Sequence, residues 1–371
     1  MKILHDSALP DFKTALLRWY DDNRRDLPWR KTRDPYRIWV SEIMLQQTRV
    51  AAVLGHYRLF LKRFPNVRAL AAASENSVLA AWSGLGYYRR ARMMRECAQN
   101  IVAEHRCRFP RSSKELQTLP GIGRYTAAAI ASIAFAEPIA VLDGNVERVL
   151  QRLAGRSLTT KDLWRRAQSS LSESRPADFN QSMMELGALV CTPHQPKCST
   201  CPIRKWCTTQ GEVSHTIPRQ SQFRREIWCV LDQRKRDIRL VQRPANSSLM
   251  AAMWELPQTS PKPSIFDESA DGASAWAQET TNSREKAAKR RKITVHGASR
   301  GSPAPDAPAM KARNNTHWQT FRHSITVTSY TVHVIRAAAP RTKGAWIPIS
   351  DLPQIPLTGL TRKILKAARI I

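Results

Sequence analysis

Three groups of residues in this chain have types and spacings that could do chemistry. The first is a pair of carboxylates set in apolar runs. Glu42 lies in Ile38-Trp39-Val40-Ser41-Glu42-Ile43-Met44-Leu45, and Asp143 lies in Ala140-Val141-Leu142-Asp143-Gly144-Asn145-Val146. A charge in such a run is costly unless it is paired or used, and burial raises a carboxyl's pKa and keeps its proton on, as a general acid requires. Glu42 fits the polar face of an amphipathic helix about as well, and Asp143 fits a helix N-cap about as well. The second group is Cys191, Cys198, Cys201 and Cys207. Four thiols in so short a segment indicate a metal site rather than a disulfide pair. One tight C-x2-C knuckle flanked by wider gaps departs from a zinc ribbon and leans modestly towards a four-iron cubane. Cys97, Cys107 and Cys229 stand alone and read as structural thiols. The third group is Leu119-Pro120-Gly121-Ile122-Gly123-Arg124, where two glycines permit a tight turn that offers amide N–H groups at a helix start. Such a concavity suits a phosphate oxygen.

These groups need elements to position them. From Asp11 to about Gln210 the pattern is helical: Phe12, Leu16, Leu17 and Tyr20 share one face, and Ile38, Ile43, Leu45 and Val50 follow at helix spacing. Pro and Gly punctuate the segments, and Ser112-x-x-Glu115 reads as a capping box opening a short helix before the glycine turn. Beyond Pro218 the period changes. Ile227 to Leu231 and Ile238 to Gln242 read as strands around a polar turn, and Ser324 to Ile335 alternates with Ile325, Val327, Ser329, Thr331 and His333 on one face. A helix closes the chain near Thr361 to Ala368. Residues 260–315 are rich in Ser, Ala, Pro and charge and contain Lys289-Arg290-Arg291-Lys292, a composition that buries little and predicts disorder or loose attachment. The expected organisation is an all-α unit over 1–215, a linker at 216–225 and an α+β domain over 226–371.

The 371 residues carry 59 Lys and Arg against 30 Asp and Glu, a formal charge of +29 that favours a polyanionic partner, nucleic acid first. No apolar run reaches the roughly 20 residues needed to span a bilayer, and Met1 to Pro10 lacks a signal peptide's apolar stretch. A protein inside the cell, without a membrane role, is the expectation.

Together these residues resemble the helix-hairpin-helix DNA glycosylases of the endonuclease III superfamily, and within them the adenine DNA glycosylases (MutY type). The motifs carrying the resemblance run from about Leu27 to Cys207. They are Leu27-Pro28-Trp29-Arg30, Ser41-Glu42-x-Met44-Leu45-Gln46-Gln47-Thr48, Gly84-Leu85-Gly86-Tyr87-Tyr88, Leu119-Pro120-Gly121-Ile122-Gly123-Arg124-Tyr125-Thr126, Leu142-Asp143-Gly144-Asn145-Val146 and the four-cysteine run. The resemblance implies removal of adenine mispaired with 8-oxoguanine or guanine in double-stranded DNA, by a monomer located in the cytoplasm at a bacterial nucleoid, or in a nucleus. It implies one [4Fe–4S] cluster on Cys191, Cys198, Cys201 and Cys207. It assigns Glu42 as the acid that protonates the purine, Asp143 as the anion that stabilises the sugar cation, Asn145 as their positioning group and Tyr125 as a neighbour of the same centre. Arg30 and Glu185 would line the base pocket. Gln47, Tyr87, Gly121, Gly123 and Arg124 would meet the duplex, with Tyr87 as a wedge.

In the bifunctional branch of that superfamily a lysine follows the hairpin and attacks the sugar; Tyr125 stands there in this chain and cannot form an imine. Base release without strand cleavage is therefore expected. A thymine-mismatch or bifunctional glycosylase is the alternative reading, and a non-catalytic DNA-binding protein the third. Through Arg243-Pro244 and Leu249-Met250-Ala251-Ala252-Met253-Trp254-Glu255-Leu256-Pro257, the C-terminal part resembles the Nudix-like domain through which such enzymes inspect 8-oxoguanine, without the glutamate-rich helix that pyrophosphate hydrolysis needs. Phe321-Arg322-His323 takes the place of the family's usual Phe-Ser-His reading loop, and the arginine offers no acceptor to the lesion.

Overall fold

The computed structural model describes residues 9–212, 223–259, 316–325, 328–339 and 344–371. The expected insertion at 260–315, with Lys289 to Lys292, and all but the last few residues of the expected linker lie outside them. The chain divides into two compact units, Met1–Pro218 and Arg219–Ile371.

In the first unit, the described residues form helices and turns with no strand. Helices α1 (Leu9–Asn23), α2 (Pro35–Leu45), α3 (Val50–Arg63), α4 (Val67–Ala72), α5 (Glu75–Trp82) and α6 (Arg89–Glu104) come first. The short α7 (Ser113–Leu116) and then α8 (Arg124–Phe135) flank the glycine turn, followed by α9 (Gly144–Ala154), α10 (Thr160–Ser170) and α11 (Pro176–Leu189). The α1 face is buried as expected, with Phe12, Leu16, Leu17 and Tyr20 all inside. Ser112 and Glu115 form the reciprocal capping box that opens α7. Val50 does not continue the helix of Ile38 to Leu45. The chain leaves α2 at Gln46, and Gln47 takes a left-handed backbone (φ 55°) before α3 starts.

The centre of this unit is α8. Its Ala127, Ala128, Ala129, Ile130 and Ala131 are wholly inaccessible. Small side chains on every side of the helix let α2 and α11 both close on it, which a larger residue would prevent. Helix α2 is almost as deeply buried: Asp34 caps it by accepting the Tyr36 amide, Pro35 starts it, and Tyr36 and Ile38 to Met44 are inside. A carboxylate on that segment is thereby forced into the core.

Among its described residues, the second unit holds two four-stranded sheets. One has the order β5-β1-β7-β6, where β1 (Phe223–Leu231) pairs parallel to β7 (Thr328–Arg336) and antiparallel to β5 (Gln258–Thr259), and β6 (Thr316–Ile325) runs antiparallel to β7. The other is built on β3 (Asp237–Gln242), which pairs with β2 (Gln233–Arg234), β4 (Trp254–Glu255) and β8 (Ala345–Pro348). Helix α12 (Gly359–Ala367) packs Leu360, Ile364 and Leu365 into the core. The segment read as one strand from Ser324 to Ile335 instead holds the end of β6, at Ser324 and Ile325, and most of β7, which starts at Thr328; Val327 lies outside the described residues. The core side of β7 is Tyr330, Val332 and Val334, so the Ser329, Thr331 and His333 face points away from that core. The alternation was legible, but Thr and Ser hide which face is inside.

Candidate active site

Glu42 occupies the last turn of α2 and is 6% exposed. The hydroxyl of Tyr125, second residue of α8, donates to its Oε2 at 2.6 Å. Burial pushes the Glu42 carboxyl up from its usual range to about 7; the Tyr125 bond and Arg30 pull it down, and the nearby Asp143 charge pushes it up. The Tyr125 phenol is itself held well above its usual value by burial and then by Glu42 and Asp143, so it stays a donor. Near neutral pH the site thus holds a carboxyl able to carry and release a proton.

Asp143 is the N-cap of α9, and the capping and functional readings of this residue coincide. Its Oδ1 accepts the amides of Asn145 (2.9 Å) and Val146 (2.7 Å), while Oδ2 accepts the Asn145 side-chain amide at 2.9 Å. Three N–H donors and the positive end of a helix suit an anion, and they fix its direction. Arg148, one turn on, donates through Nη2 to Asn145 Oδ1 and to the Gly187 carbonyl, both at 2.7 Å, and through Nε to the Cys191 carbonyl at 2.8 Å. The start of α9 is thus tied to the end of α11 and the cysteine loop.

This junction depends on Gly187. A Cβ there would lie 2.6 Å from Asn145 Cβ and 3.1 Å from its backbone Cα and O. Gly187→Ala is therefore expected to displace Asn145 and Asp143 together. Activity at this site should fall by roughly a hundredfold with a moderate loss of melting temperature, because small misplacements at a reacting centre are costly. Single-turnover assays with thermal melts check this, and a variant of wild-type activity would contradict it.

Glu42, Tyr125, Asp143 and Asn145 line a cavity of about 770 Å³ together with Arg30, Gln47 and Glu185. Glu185 is buried, and both its oxygens are taken. Oε1 accepts Arg25 N, Arg25 Nε and Arg30 Nη1, each at 2.9 Å, and Oε2 accepts Arg25 Nη2 (2.6 Å) and Arg30 Nη2 (2.8 Å). Burial alone would raise this carboxyl, but the two guanidiniums outweigh it and hold it down at about 2. Arg25 and Arg148 both line the cavity and escaped the sequence reading. Asn23-Arg24-Arg25-Asp26 and Val146-Glu147-Arg148 look like solvated faces, and no spacing signal separates them from surface charge. Met184 was also missed; its sulfur lies 3.5 Å from the Tyr125 hydroxyl.

Of the expected duplex-facing residues only Gln47 lines the cavity; Tyr87, Gly121, Gly123 and Arg124 do not. Tyr87 (φ 48°) is 53% exposed, and Gln47 is exposed as well. In the hairpin, Gly121 (φ 75°) needs its missing side chain, since a Cβ would meet Met93 at 3.0 Å. Gly123 differs from expectation. It is the N-cap of α8 with ordinary extended backbone, and its Cβ would meet open space, so tight turning rests on Gly121 alone. What Gly123 leaves is an unobstructed approach to the first amides of α8, which lack intrahelical acceptors. Exposed Arg124 stands beside them with its guanidinium 3.8 Å from the Trp164 ring centre, a stacking partner the sequence did not disclose.

The four cysteines of 191–207 are half-buried. Burial and then Cys207 and Cys191 push the Cys198 thiol up, and Cys201 is raised to about 11 mainly by burial. Arg152, buried on α9, donates to Cys191 Sγ at 3.3 Å and to the carbonyls of Thr192 and Pro193. Among the described residues, no three His, Cys, Asp or Glu side chains are arranged to hold a single metal ion.

In the second unit, Phe321 is buried against Val332 and the sheet core, so its ring is committed to packing rather than to a surface contact. Arg322 is exposed and accepts Lys363 Nζ on its carbonyl. His323 is half-buried, and burial and then Lys363 hold its imidazole below the usual value.

Residues 40–173 match the family model of the HhH-GPD superfamily base excision DNA repair proteins. The chain is 39% identical over 318 residues to an adenine DNA glycosylase of Homo sapiens, covering 68% of this chain and 58% of that one. It is 40% identical over 322 residues to an adenine DNA glycosylase of Arabidopsis thaliana, covering 73% and 50%. It therefore spans between half and three fifths of the length of these curated relatives. Among solved structures, a thermostable thymine-DNA glycosylase superposes with a TM-score of 0.52 at 31% identity, over 54% of this chain and 96% of that one. With that protein covered almost end to end, and the family signature spanning Glu42, the hairpin and Asp143, the chain belongs to the HhH-GPD superfamily of base excision DNA repair proteins.

Proposed function

We propose that this protein is a monofunctional adenine DNA glycosylase acting as a monomer on duplex DNA with adenine opposite 8-oxoguanine or guanine. The observation that carries this is the pairing, in one cavity, of a buried acid near pKa 7 with an anion-suited carboxylate at a helix start. The target base leaves the stack for the cavity, at a cost of a few kcal/mol. Glu42, steered by the Tyr125 hydroxyl, gives its proton to purine ring nitrogen 7 and makes adenine a neutral leaving group. Asp143 stabilises the oxocarbenium-like sugar, as the paired carboxyl of a sugar hydrolase does. Asn145 and Arg148 hold Asp143 in place, and water completes hydrolysis to an abasic site. Tyr125 offers no amine for a sugar imine, so no lyase step follows.

The test is incubation with duplexes carrying adenine opposite 8-oxoguanine, guanine or cytosine, and thymine opposite guanine, with free base and strand breaks scored separately. Free adenine, with breaks appearing only after alkali, is the expected result. Thymine release would establish the second reading, which the likeness to the thymine-DNA glycosylase favours.

The donor set of Cys191, Cys198, Cys201 and Cys207 fits one [4Fe–4S] cluster. Cys198 and Cys201, whose thiols burial and neighbouring cysteines push up, need a cationic centre to stay deprotonated, and Arg152 adds positive charge at Cys191. When bound, the cluster supplies four iron–thiolate bonds that brace the 191–207 loop. About four irons and four sulfides per chain are expected, and one zinc per chain would contradict the assignment. The second unit reads as the Nudix-like domain that inspects the lesion, with the exposed Arg322 and the half-buried His323 carrying the contact.

A further inference from the structure

Arg90, second residue of α6, ties together two loops that the reaction scheme leaves independent. Its Nη1 donates to the carbonyls of Ile43 (2.7 Å), Met44 (3.1 Å) and Gln46 (2.5 Å), acceptors that the end of α2 leaves open. Its Nη2 reaches Thr48 Oγ1 at 3.2 Å and the carbonyls of Leu85 and Gly86 at 3.3 Å. The guanidinium carbon lies 5.3 Å from the Trp82 ring centre and 5.5 Å from that of Tyr87. The Arg90 amide also donates to the Tyr87 carbonyl. No carboxylate offsets the charge among the described residues, and burial lowers the guanidinium to about 10. A half-buried cation without a counter-ion still loses part of its hydration, so its retention calls for another explanation.

That explanation lies in what the two loops carry. Gln47 and Tyr87 are exposed, and both hold left-handed backbone without being glycine, a conformation that persists only where surrounding contacts impose it. Arg90 contacts the segment on each side of Gln47 and the segment leading into Tyr87. The first of these segments is continuous with the helix turn that bears Glu42.

We propose that Arg90 is a positioning residue for base extrusion: its forked guanidinium locks the Gln47 loop and the Tyr87 loop into one rigid unit, so that both side chains enter the duplex together. The consequence for catalysis rests on the DNA glycosylase reading above; the locking does not. A lysine cannot reproduce it, because one ammonium cannot face both loops as the planar fork does.

The test compares wild type, Arg90→Lys and Arg90→Met in two measurements. In hydrogen exchange without DNA, amides of residues 46–49 and 85–88 should exchange about tenfold or more faster in both variants, while the 119–124 hairpin stays unchanged. In single-turnover assays, adenine release from a duplex with adenine opposite 8-oxoguanine should fall roughly a hundredfold, but less than about fivefold when the adenine faces an abasic analogue and is already loose. A purely structural role would slow both substrates equally, and that result would overturn the proposal. Loosening confined to one loop, or wild-type behaviour in Arg90→Lys, would overturn it too. Should Arg90→Met fail to fold, Arg90→Lys carries both readouts. Joint loosening in a protein that releases no base would leave the locking standing and refute the glycosylase reading instead.

Discussion

Glu42→Gln is expected to bind a mismatched duplex as wild type does and to release base about a thousandfold more slowly, within the range assigned to general acids. The glutamine keeps the shape and can accept the Tyr125 hydroxyl bond, but it has no proton to give. The same substitution should stabilise the fold. The wild-type carboxyl is raised from 4.5 to about 7, so its contribution to stability is intact below pH 4.5 and is lost as pH rises through about 7. Above that window the buried charge costs on the order of 3 kcal/mol, which the neutral glutamine avoids. Urea unfolding near pH 5 and near pH 8 should show the gap between variant and wild type opening as pH rises. A variant less stable than wild type at the higher pH would mean that Glu42 is better paired than the cavity indicates.

The second large effect is at Asp143. Asn in its place still caps α9, since asparagine accepts the same backbone amides, so melting should change little. Base release should nonetheless drop by roughly two to three orders of magnitude, because a neutral amide does not stabilise a developing sugar cation. Asp143→Ala separates the two roles: it should lose the same activity and in addition about 1 kcal/mol of stability from the missing cap. Asp143→Asn with activity within about fivefold of wild type would reduce Asp143 to a capping residue.

Much of the site was legible because chemistry conflicts with patterning. Glu42 and Asp143 break apolar runs, and Gly121 sits where the backbone must turn left-handed, so each leaves a mark in one dimension. The all-α unit and its α1 face follow from helix periodicity for the same reason. Arg25, Arg148 and Arg90 leave no such mark. Each sits in a charged stretch indistinguishable from a solvated surface, and only the approach of distant segments (α11 onto α9, or residues 43–48 onto 85–90) turns it inward. Gly187 is the extreme case, required by a backbone 42 residues away. In the second unit, β7 carries Ser and Thr on one face and Tyr and Val on the other, yet the end of β6 and the start of β7 fell inside one run that kept alternating. Phe321 was read as a surface contact because nothing local told its face from that of Arg322.

The central claim is that one proton, resident on a buried carboxyl, drives departure of the base. The pH dependence of single-turnover base release tests it most directly, with duplex binding measured in parallel. The wild-type rate should be level below about pH 6 and fall towards tenfold per pH unit above about 7, while Glu42→Gln stays slow and level throughout. A wild-type rate that holds constant up to about pH 9, or a descending limb that survives in Glu42→Gln, would contradict it.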